Sequence, residues 1–222
     1  MKNWVGIVLV LLAVASCRMR DEKELAAKKE SNDFVEEVKD TTTNHLLLPL
    51  MKNGNYTAVV EIPAGTNHKI EYHKTNHEFV CDQKEGKDRI VKFLGYPGNY
   101  GFIPSTMMDK DRGGDGDALD VLILSEHVAI GTYMEIIPVG IMYLLDGGEE
   151  DHKLLAVPAD DQLNTLHAKD LSDIDQPVLH IISEWFANYK GPGEMEFKGF
   201  ADKAAAIEEI KKWSLNNSRS GL

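Results

Sequence analysis

The sequence has little cysteine and no excess of positive charge. Only two cysteines, Cys17 and Cys81, occur among its 222 residues, so a disulfide framework is excluded and the fold must rely on its hydrophobic core. The formal net charge is −12, which argues against nucleic acid as a partner, because a phosphate backbone is bound through clustered Lys and Arg. A small anionic ligand would need cations gathered locally, either metal ions on carboxylates or a few placed basic side chains.

Long hydrophobic runs are also scarce, and the one that stands out covers residues 4–15. It is shorter than the roughly 20 residues that a transmembrane helix needs, and it is typical of a signal peptide. The following Val14-Ala15-Ser16-Cys17 resembles a bacterial lipobox, which implies removal of residues 1–16 and a lipid on Cys17. We therefore expect export to the bacterial cell envelope, with membrane contact through the lipid anchor only. The alternative is an ordinary cleaved signal peptide beside an incidental cysteine.

The remaining chain divides into a polar tether and one domain. Residues 17–45 mix charges of both signs with few large apolar side chains, whereas residues 46–222 have the composition of a globular domain. Strand-like runs occupy residues 56–62, 69–72, 121–124, 133–145 and 153–157. Helical patterns occupy residues 174–189, with Val178, Ile181 and Trp185 on the apolar face, and 201–215. Strands first and helices last predict an α+β domain, an antiparallel β-barrel with flanking helices.

Three aspartates, Asp115, Asp117 and Asp120, lie within six residues and lead into an apolar strand. The glycines among and before them allow a tight bend, so the carboxylates can converge. Converging carboxylates repel one another unless cations lie between them, and hard oxygen ligands on a compact loop favour Mg²⁺. A solvated acidic loop is one alternative. An EF-hand Ca²⁺ loop is another, since Asp109 and Asp111 fit part of its spacing, but the terminal Glu and the following helix are lacking.

Other charged and aromatic residues could complete such a site, although each is a weak signal alone. Lys69 and Glu71 share one face of a strand because of its two-residue period, and Arg89 offers a planar fork suited to phosphate oxygens. Exposed strand charges more often serve solvation, and tyrosines more often serve the core. The further candidates are Glu61, Tyr100, Asp146, Asp151, Lys153, Tyr189 and Lys190.

Taken together, these segments resemble the family I soluble inorganic pyrophosphatases from about residue 59 to about residue 213. The family pattern D-G-D-x-x-D appears as Asp115 to Asp120, and Y-P-x-N-Y-G appears as Tyr96 to Gly101. The E-I-P strand begins at Glu61, and the K-x-E pair is Lys69 and Glu71. The hairpin motif D-x₄-D-x-K corresponds to Asp146, Asp151 and Lys153, and the terminal Y-K corresponds to Tyr189 and Lys190. The resemblance implies an OB-like barrel, Mg²⁺ as cofactor, pyrophosphate as substrate and a homo-oligomer.

The resemblance also implies roles for single residues. Asp115, Asp120 and Asp151 would hold a first metal, Asp120 would be shared with a second, and Asp146 with Asp151 would serve metals that arrive with the substrate. Glu61 and Glu71 would lie in the outer shell, and Asp117 would be the general base. The substrate's two phosphoryl groups would contact Lys69, Arg89, Tyr100, Lys153, Tyr189 and Lys190.

The sequence departs from the family pattern at two positions. Ala118 stands where the family usually has Pro, which removes a constraint on φ, and Gly147 stands where an acidic residue is common. We expect weaker metal affinity with the chemistry retained. Two other functions compete with this one: a binding protein for metal or polyphosphate without turnover, and a phosphohydrolase acting on nucleotides or longer polyphosphates.

Overall fold

The computed structural model describes residues 42–215. The predicted signal peptide, Cys17 and the predicted tether as far as residue 41 lie outside the described residues. Within the described range the strands are β1 (Met51–Lys52), β2 (Asn55–Ile62), β3 (Ile70–His73), β4 (Glu78–Cys81), β5 (Gln83–Lys84), β6 (Lys87–Asp88), β7 (Asn99–Phe102), β8 (Asp120–Ile123), β9 (Tyr133–Asp146), β10 (Glu149–Glu150), β11 (Lys153–Pro158) and β12 (Met195–Asp202). The α-helices are α1 (Gln176–Asn188) and α2 (Lys203–Trp213), and short 3₁₀ turns cover His45–Leu47, Lys110–Arg112 and Leu171–Asp173.

Five strands close into a barrel in the order β2, β7, β8, β11, β9 and back to β2. Closure is possible because β9 is 14 residues long, so that its first part pairs with β2 and its later part with β11 and β12. The closed ring confirms the predicted α+β fold with an OB-like barrel. One pair departs from the antiparallel prediction: β8 and β11 run parallel, with Val121 opposite Leu154.

The interior of the barrel is apolar and tightly enclosed. Val60, Val121, Ile141 and Leu154 are completely buried in one cluster, and Trp213 at the end of α2 packs into the same cluster. All six residues of β11 are buried, and the five that follow Lys153 are apolar. The strands that carry the candidate site therefore have fixed positions, because their inner faces are locked in a close-packed core.

The C-terminal part differs from the sequence prediction in two ways. Residues 201–202, predicted as helix, belong to β12, so a strand lies between the two helices. The helix α2 begins only where the Asp202 carboxylate accepts a hydrogen bond from the Ala205 amide at 3.0 Å and caps it. On α1, Ile181 is 62% exposed, contrary to its predicted core position, and Leu179 is buried instead, because the packed face is rotated from the expected one.

The first described segment packs against the barrel. His45, the last residue of the predicted tether, is buried, and its ring contacts Tyr72 and Phe79 edge-on. The His45 amide donates a 3.0 Å hydrogen bond to the Tyr72 hydroxyl. Cys81 is a free, half-buried thiol on β4. Among residues 42–215 no helix is long and apolar enough to cross a membrane.

Candidate active site

The predicted site residues lie around a single cavity of about 300 Å³. They come from strands and loops that are distant in the sequence and are brought together by closure of the barrel. The cavity is lined by Glu61, Lys69, Glu71, Arg89, Tyr100, Asp115, Asp117, Asp120, Asp146, Asp151, Lys153, Tyr189 and Lys190, together with Leu46, Tyr72, Lys74, Phe102 and Ala118. Every candidate that the sequence offered within the domain therefore faces this space.

The aspartate loop is held in place by main-chain hydrogen bonds. The Gly116 amide donates to the Met108 carbonyl and the Met108 amide donates to the Asp117 carbonyl, both at 2.7 Å. Gly116 has a φ of +87°, which favours glycine at this position. The Asp117 amide donates to the Asp115 carboxylate at 2.8 Å. The loop thereby presents three acidic side chains to one cavity.

The EF-hand alternative is not supported by the loop geometry. The Asp109 carboxylate accepts a 2.9 Å hydrogen bond from the Asp111 amide and caps a 3₁₀ turn. Neither Asp109 nor Asp111 lines the cavity, and the loop continues into strand β8.

A buried lysine lies between two of the carboxylates. The Lys153 side chain is almost fully buried, and its Nζ contacts the Asp120 carboxylate at 2.5 Å and also the Asp151 carboxylate. Burial lowers the pKa of Lys153, but the charges of Asp120 and Asp151 outweigh that effect and raise it above its usual value. Lys153 is therefore a permanent cation held between two anions.

Two more lysines are paired in the same way. Lys190 contacts the Asp146 carboxylate, and Lys69 lies 2.8 Å from the Glu71 carboxylate. Asp146 and Asp151 flank the turn of the β9–β10 hairpin, in which Gly147 and Gly148 both have positive φ. A two-residue turn of this kind brings the two strands close together, so both aspartates reach the cavity.

The donor set suits a hard divalent cation. The available ligands are carboxylate oxygens, which Mg²⁺ prefers, and the ammonium group between Asp120 and Asp151 marks a position where positive charge is already stabilised. Among the described residues, no group of three or more acidic, His or Cys side chains converges closely enough to form a ready ion cage. Lysines instead bridge or pair with the carboxylates, so a metal ion could bind only if those lysines moved away from them.

The phosphate-binding candidates are pre-oriented by their neighbours. The Arg89 guanidinium donates to the Asp82 carboxylate at 2.9 Å, and the Tyr189 ring stacks on Trp185 with centroids 4.6 Å apart. Burial raises the pKa of Tyr100 and of Tyr189. Both phenols thus keep their protons at neutral pH and can donate hydrogen bonds to an anion.

Glu61 differs in charge from the other acids. Its Oε1 accepts a 2.7 Å hydrogen bond from the Tyr72 amide, and burial raises its pKa to about 8. Glu61 is therefore largely protonated near neutral pH while no metal is bound, whereas Glu71 is an exposed carboxylate paired with Lys69.

Sequence reasoning missed Lys74, which also lines the cavity. Its Nζ contacts the Asp117 carboxylate and donates a 3.0 Å hydrogen bond to the Gly116 carbonyl. Lys74 directly follows β3, beyond the strand whose two-residue period pointed to Lys69 and Glu71. No periodicity signal could have found it.

The barrel and its cavity together define an enzyme of the phosphohydrolase class, because acids that suit metal ions and cations that suit phosphate share one space. Comparison with known proteins agrees. The family profile described as inorganic pyrophosphatase matches residues 58–217. The inorganic pyrophosphatase of Neisseria meningitidis serogroup B is 38% identical over 180 residues, which cover 77% of this chain and 96% of that protein.

Solved structures agree as well. An inorganic pyrophosphatase from Neisseria gonorrhoeae superimposes with a TM-score of 0.66 at 35% identity and covers 78% of this chain and 97% of that one. A Trypanosoma cruzi vacuolar soluble pyrophosphatase, solved in complex with PPi, gives a TM-score of 0.67 at 27% identity. The match covers 78% of this chain and 73% of that one. The chain belongs to the inorganic pyrophosphatase family.

Proposed function

We propose that this family member hydrolyses inorganic pyrophosphate to two phosphates in the cavity described above, with Mg²⁺ as cofactor and Asp117 as general base. The observation that carries the proposal is that all the candidate metal, base and substrate residues line one cavity. The cavity combines acids that suit metal ions with lysines and an arginine that suit phosphoryl oxygens.

The carboxylates divide into metal ligands and a base. Asp115, Asp120 and Asp151 would hold a first Mg²⁺, Asp120 would be shared with a second, and Asp146 with Asp151 would receive ions that arrive with the substrate. When bound, Mg²⁺ lowers the pKa of water and neutralises charge on phosphoryl oxygens. Glu61 and Glu71 would bond to water in the outer shell.

Asp117 is suited to accept a proton. Its side chain is 63% exposed to the cavity and solvent, so water reaches the carboxylate, and its main chain is fixed by the Met108 carbonyl and amide network. A positioned carboxylate can take the proton from the attacking water as the new phosphorus–oxygen bond forms. The bridging oxygen then leaves with the second phosphate.

The basic and phenolic groups hold the substrate and stabilise the departing phosphate. One main-chain hydrogen bond joins Lys69 and Arg89: the Lys69 amide donates to the Arg89 carbonyl at 2.9 Å. Tyr100 and Tyr189 can donate hydrogen bonds without adding charge, while Lys153 and Lys190 supply cations. Preorganised donors of this kind are effective because they need no rearrangement as negative charge develops.

The decisive experiment is phosphate release from pyrophosphate by the fragment that starts after Cys17, with Mg²⁺ and with EDTA. We expect Mg²⁺-dependent turnover, and we expect Asp117→Asn to reduce kcat by about 10²-fold or more while Mg²⁺ binding measured by calorimetry is kept. A folded wild type that binds Mg²⁺ and releases no phosphate would identify a binding protein instead. An Asp117→Asn variant with most of its activity would remove Asp117 from the role of base.

Substrate range is tested by comparing pyrophosphate, tripolyphosphate and ATP. The relatives that this chain matches are named inorganic pyrophosphatases. We expect kcat/KM to be highest for pyrophosphate, and a higher value for ATP or tripolyphosphate would favour a phosphohydrolase of nucleotides or polyphosphates.

We also propose that the chain is a lipoprotein of the bacterial cell envelope, anchored through Cys17. The support is the sequence pattern of residues 4–17, an apolar run followed by small residues and cysteine. Metabolic labelling with an alkyne fatty acid should label the wild type but not Cys17→Ser. An exported, unlabelled wild type would favour an ordinary signal peptide.

A homo-oligomer is the remaining proposal. Leu94 is 75% exposed and Ile181 is 62% exposed, and both lie beside Trp185, whose indole donates to the Leu94 carbonyl at 2.9 Å. A contiguous exposed apolar patch marks an interaction surface, and we propose that these two side chains belong to one. Light scattering should give a multiple of the protomer mass, reduced by Leu94→Glu. A monomer in the wild type would contradict the proposal.

A further inference from the structure

The Asp117 side chain is less constrained than its backbone. The Asp117 amide and carbonyl are both hydrogen-bonded, to the Asp115 carboxylate at 2.8 Å and to the Met108 amide at 2.7 Å. The carboxylate, by contrast, is 63% exposed. Within residues 42–215 its hydrogen-bonding partner is Lys74, through Oδ1.

Lys74 holds two consecutive residues of the loop. Its ammonium group contacts Asp117 Oδ1 and also donates a 3.0 Å hydrogen bond to the Gly116 carbonyl. Because the ammonium group is also bonded to the Gly116 carbonyl, it cannot move with the Asp117 carboxylate when that side chain changes rotamer. The contact therefore favours one orientation of the Asp117 side chain, in which Oδ1 is the oxygen bonded to the lysine.

Stability does not explain this ion pair. The Lys74 and Asp117 side chains are 53% and 63% exposed, and exposed ion pairs contribute little to stability. Lys74 differs in this respect from Lys153, which is nearly buried between carboxylates assigned to metal. Of the lysines that line the cavity, Lys74 is the one paired with the carboxylate assigned to proton transfer.

We propose that Lys74 is a positioning residue that orients the Asp117 carboxylate so that Oδ2 can accept the proton of the attacking water. The inference rests on the proposed role of Asp117. A small misplacement of a reacting group can cost as much as about 10²-fold in rate, so the loss of one exposed contact can matter to turnover although it hardly matters to folding.

The test measures kcat, KM and Mg²⁺ affinity for the full chain in detergent, in the wild type, Lys74→Met, Lys74→Arg and the control Lys84→Met. Lys84 lies on the exposed strand β5 and does not line the cavity. We expect Lys74→Met to lower kcat by about 10-fold or more, with KM, Mg²⁺ affinity and melting temperature nearly unchanged. Lys74→Arg should restore most of kcat, because it returns a cationic donor to the same place.

A double-mutant comparison separates positioning from other roles. In an Asp117→Asn background, Lys74→Met should have almost no further effect, because the group that it orients no longer accepts the proton. An equal loss in both backgrounds, an unchanged kcat, or a rise in KM alone would each overturn the proposal, the last by indicating a direct substrate contact. If Asp117→Asn itself keeps its activity, the proposed base fails whatever Lys74 does.

Discussion

Replacing Lys153 by Met should destabilise the domain and make its stability strongly dependent on Mg²⁺. The lysine is 2% exposed and bonds to both Asp120 and Asp151, so its removal leaves two carboxylates facing each other without a cation. Breaking a buried ion pair by deleting one partner costs about 3–5 kcal/mol. For a domain of this size, such a loss lowers the melting temperature by about 10 °C.

Added Mg²⁺ should recover part of that loss. A ligand that binds the folded state at about 100 times its dissociation constant contributes about 2.7 kcal/mol. The variant should gain more from Mg²⁺ than the wild type does, because in the wild type Lys153 competes for the same carboxylates. The difference in the free energy of unfolding between the variant and the wild type should therefore be largest in EDTA.

The assay is urea denaturation followed by circular dichroism, in EDTA and in excess Mg²⁺, for the wild type, Lys153→Met and Lys84→Met. The exposed Lys84 should change the free energy of unfolding by less than about 0.5 kcal/mol. A loss below about 1 kcal/mol in EDTA for Lys153→Met, or an equal Mg²⁺ effect in both proteins, would refute the reasoning, because it would mean that Lys153 does not neutralise the carboxylates in solution.

Two further predictions concern parts of the domain outside the aspartate loop. Although burial raises the pKa of Glu209, the His152 ring 3.6 Å away, the hydrogen bond from Trp213 and the charge of Lys212 lower it to about 2. Glu209 thus stabilises the folded state above its usual pKa of 4.5 and loses that effect as the pH falls toward 2. Glu209→Gln should lower the free energy of unfolding by about 2 kcal/mol at pH 7 and by much less near pH 2. Urea titrations at several pH values measure this difference, and a difference that does not change with pH would contradict this account. Gly101→Ala should destabilise by about 3 kcal/mol or prevent folding, because an added Cβ would lie 1.9 Å from the Val59 carbonyl oxygen across β2 and β7. A melting temperature within 2–4 °C of the wild type, which corresponds to only about 1 kcal/mol, would show that the strands can separate there.

Local patterns predicted most of the strands that form the barrel, because alternation and apolar runs are properties of the chain itself. The strand over residues 133–145 was predicted almost to its ends, and β9 extends it by a single residue to Asp146. The late strand β12 was missed, and its last two residues were assigned to the following helix. Pairing with β9 determines that strand, and a partner distant in the sequence leaves no local signal.

Ile181 and Leu179 show the same limit within a helix. Both are apolar and lie on one turn of α1, and periodicity placed Ile181 in the core. The structure buries Leu179 and exposes Ile181, because the packed face depends on where the helix meets the barrel. The parallel pairing of β8 and β11 is likewise a property of chain topology, which residue patterns do not encode.

The same distinction between local sequence patterns and tertiary contacts applies to the candidate site. The sequence by itself determined which residues are candidates for the acid, base and cation chemistry, since the D-G-D-x-x-D loop and the K-x-E pair are short motifs of chemically distinctive residue types. Only the tertiary structure decided that these motifs share one cavity, that Lys153 lies between Asp120 and Asp151, and that Lys74 contacts Asp117. The contacts of Lys153 with Asp120 and of Lys74 with Asp117 join residues 33 and 43 positions apart, so only the folded chain brings them within bonding distance.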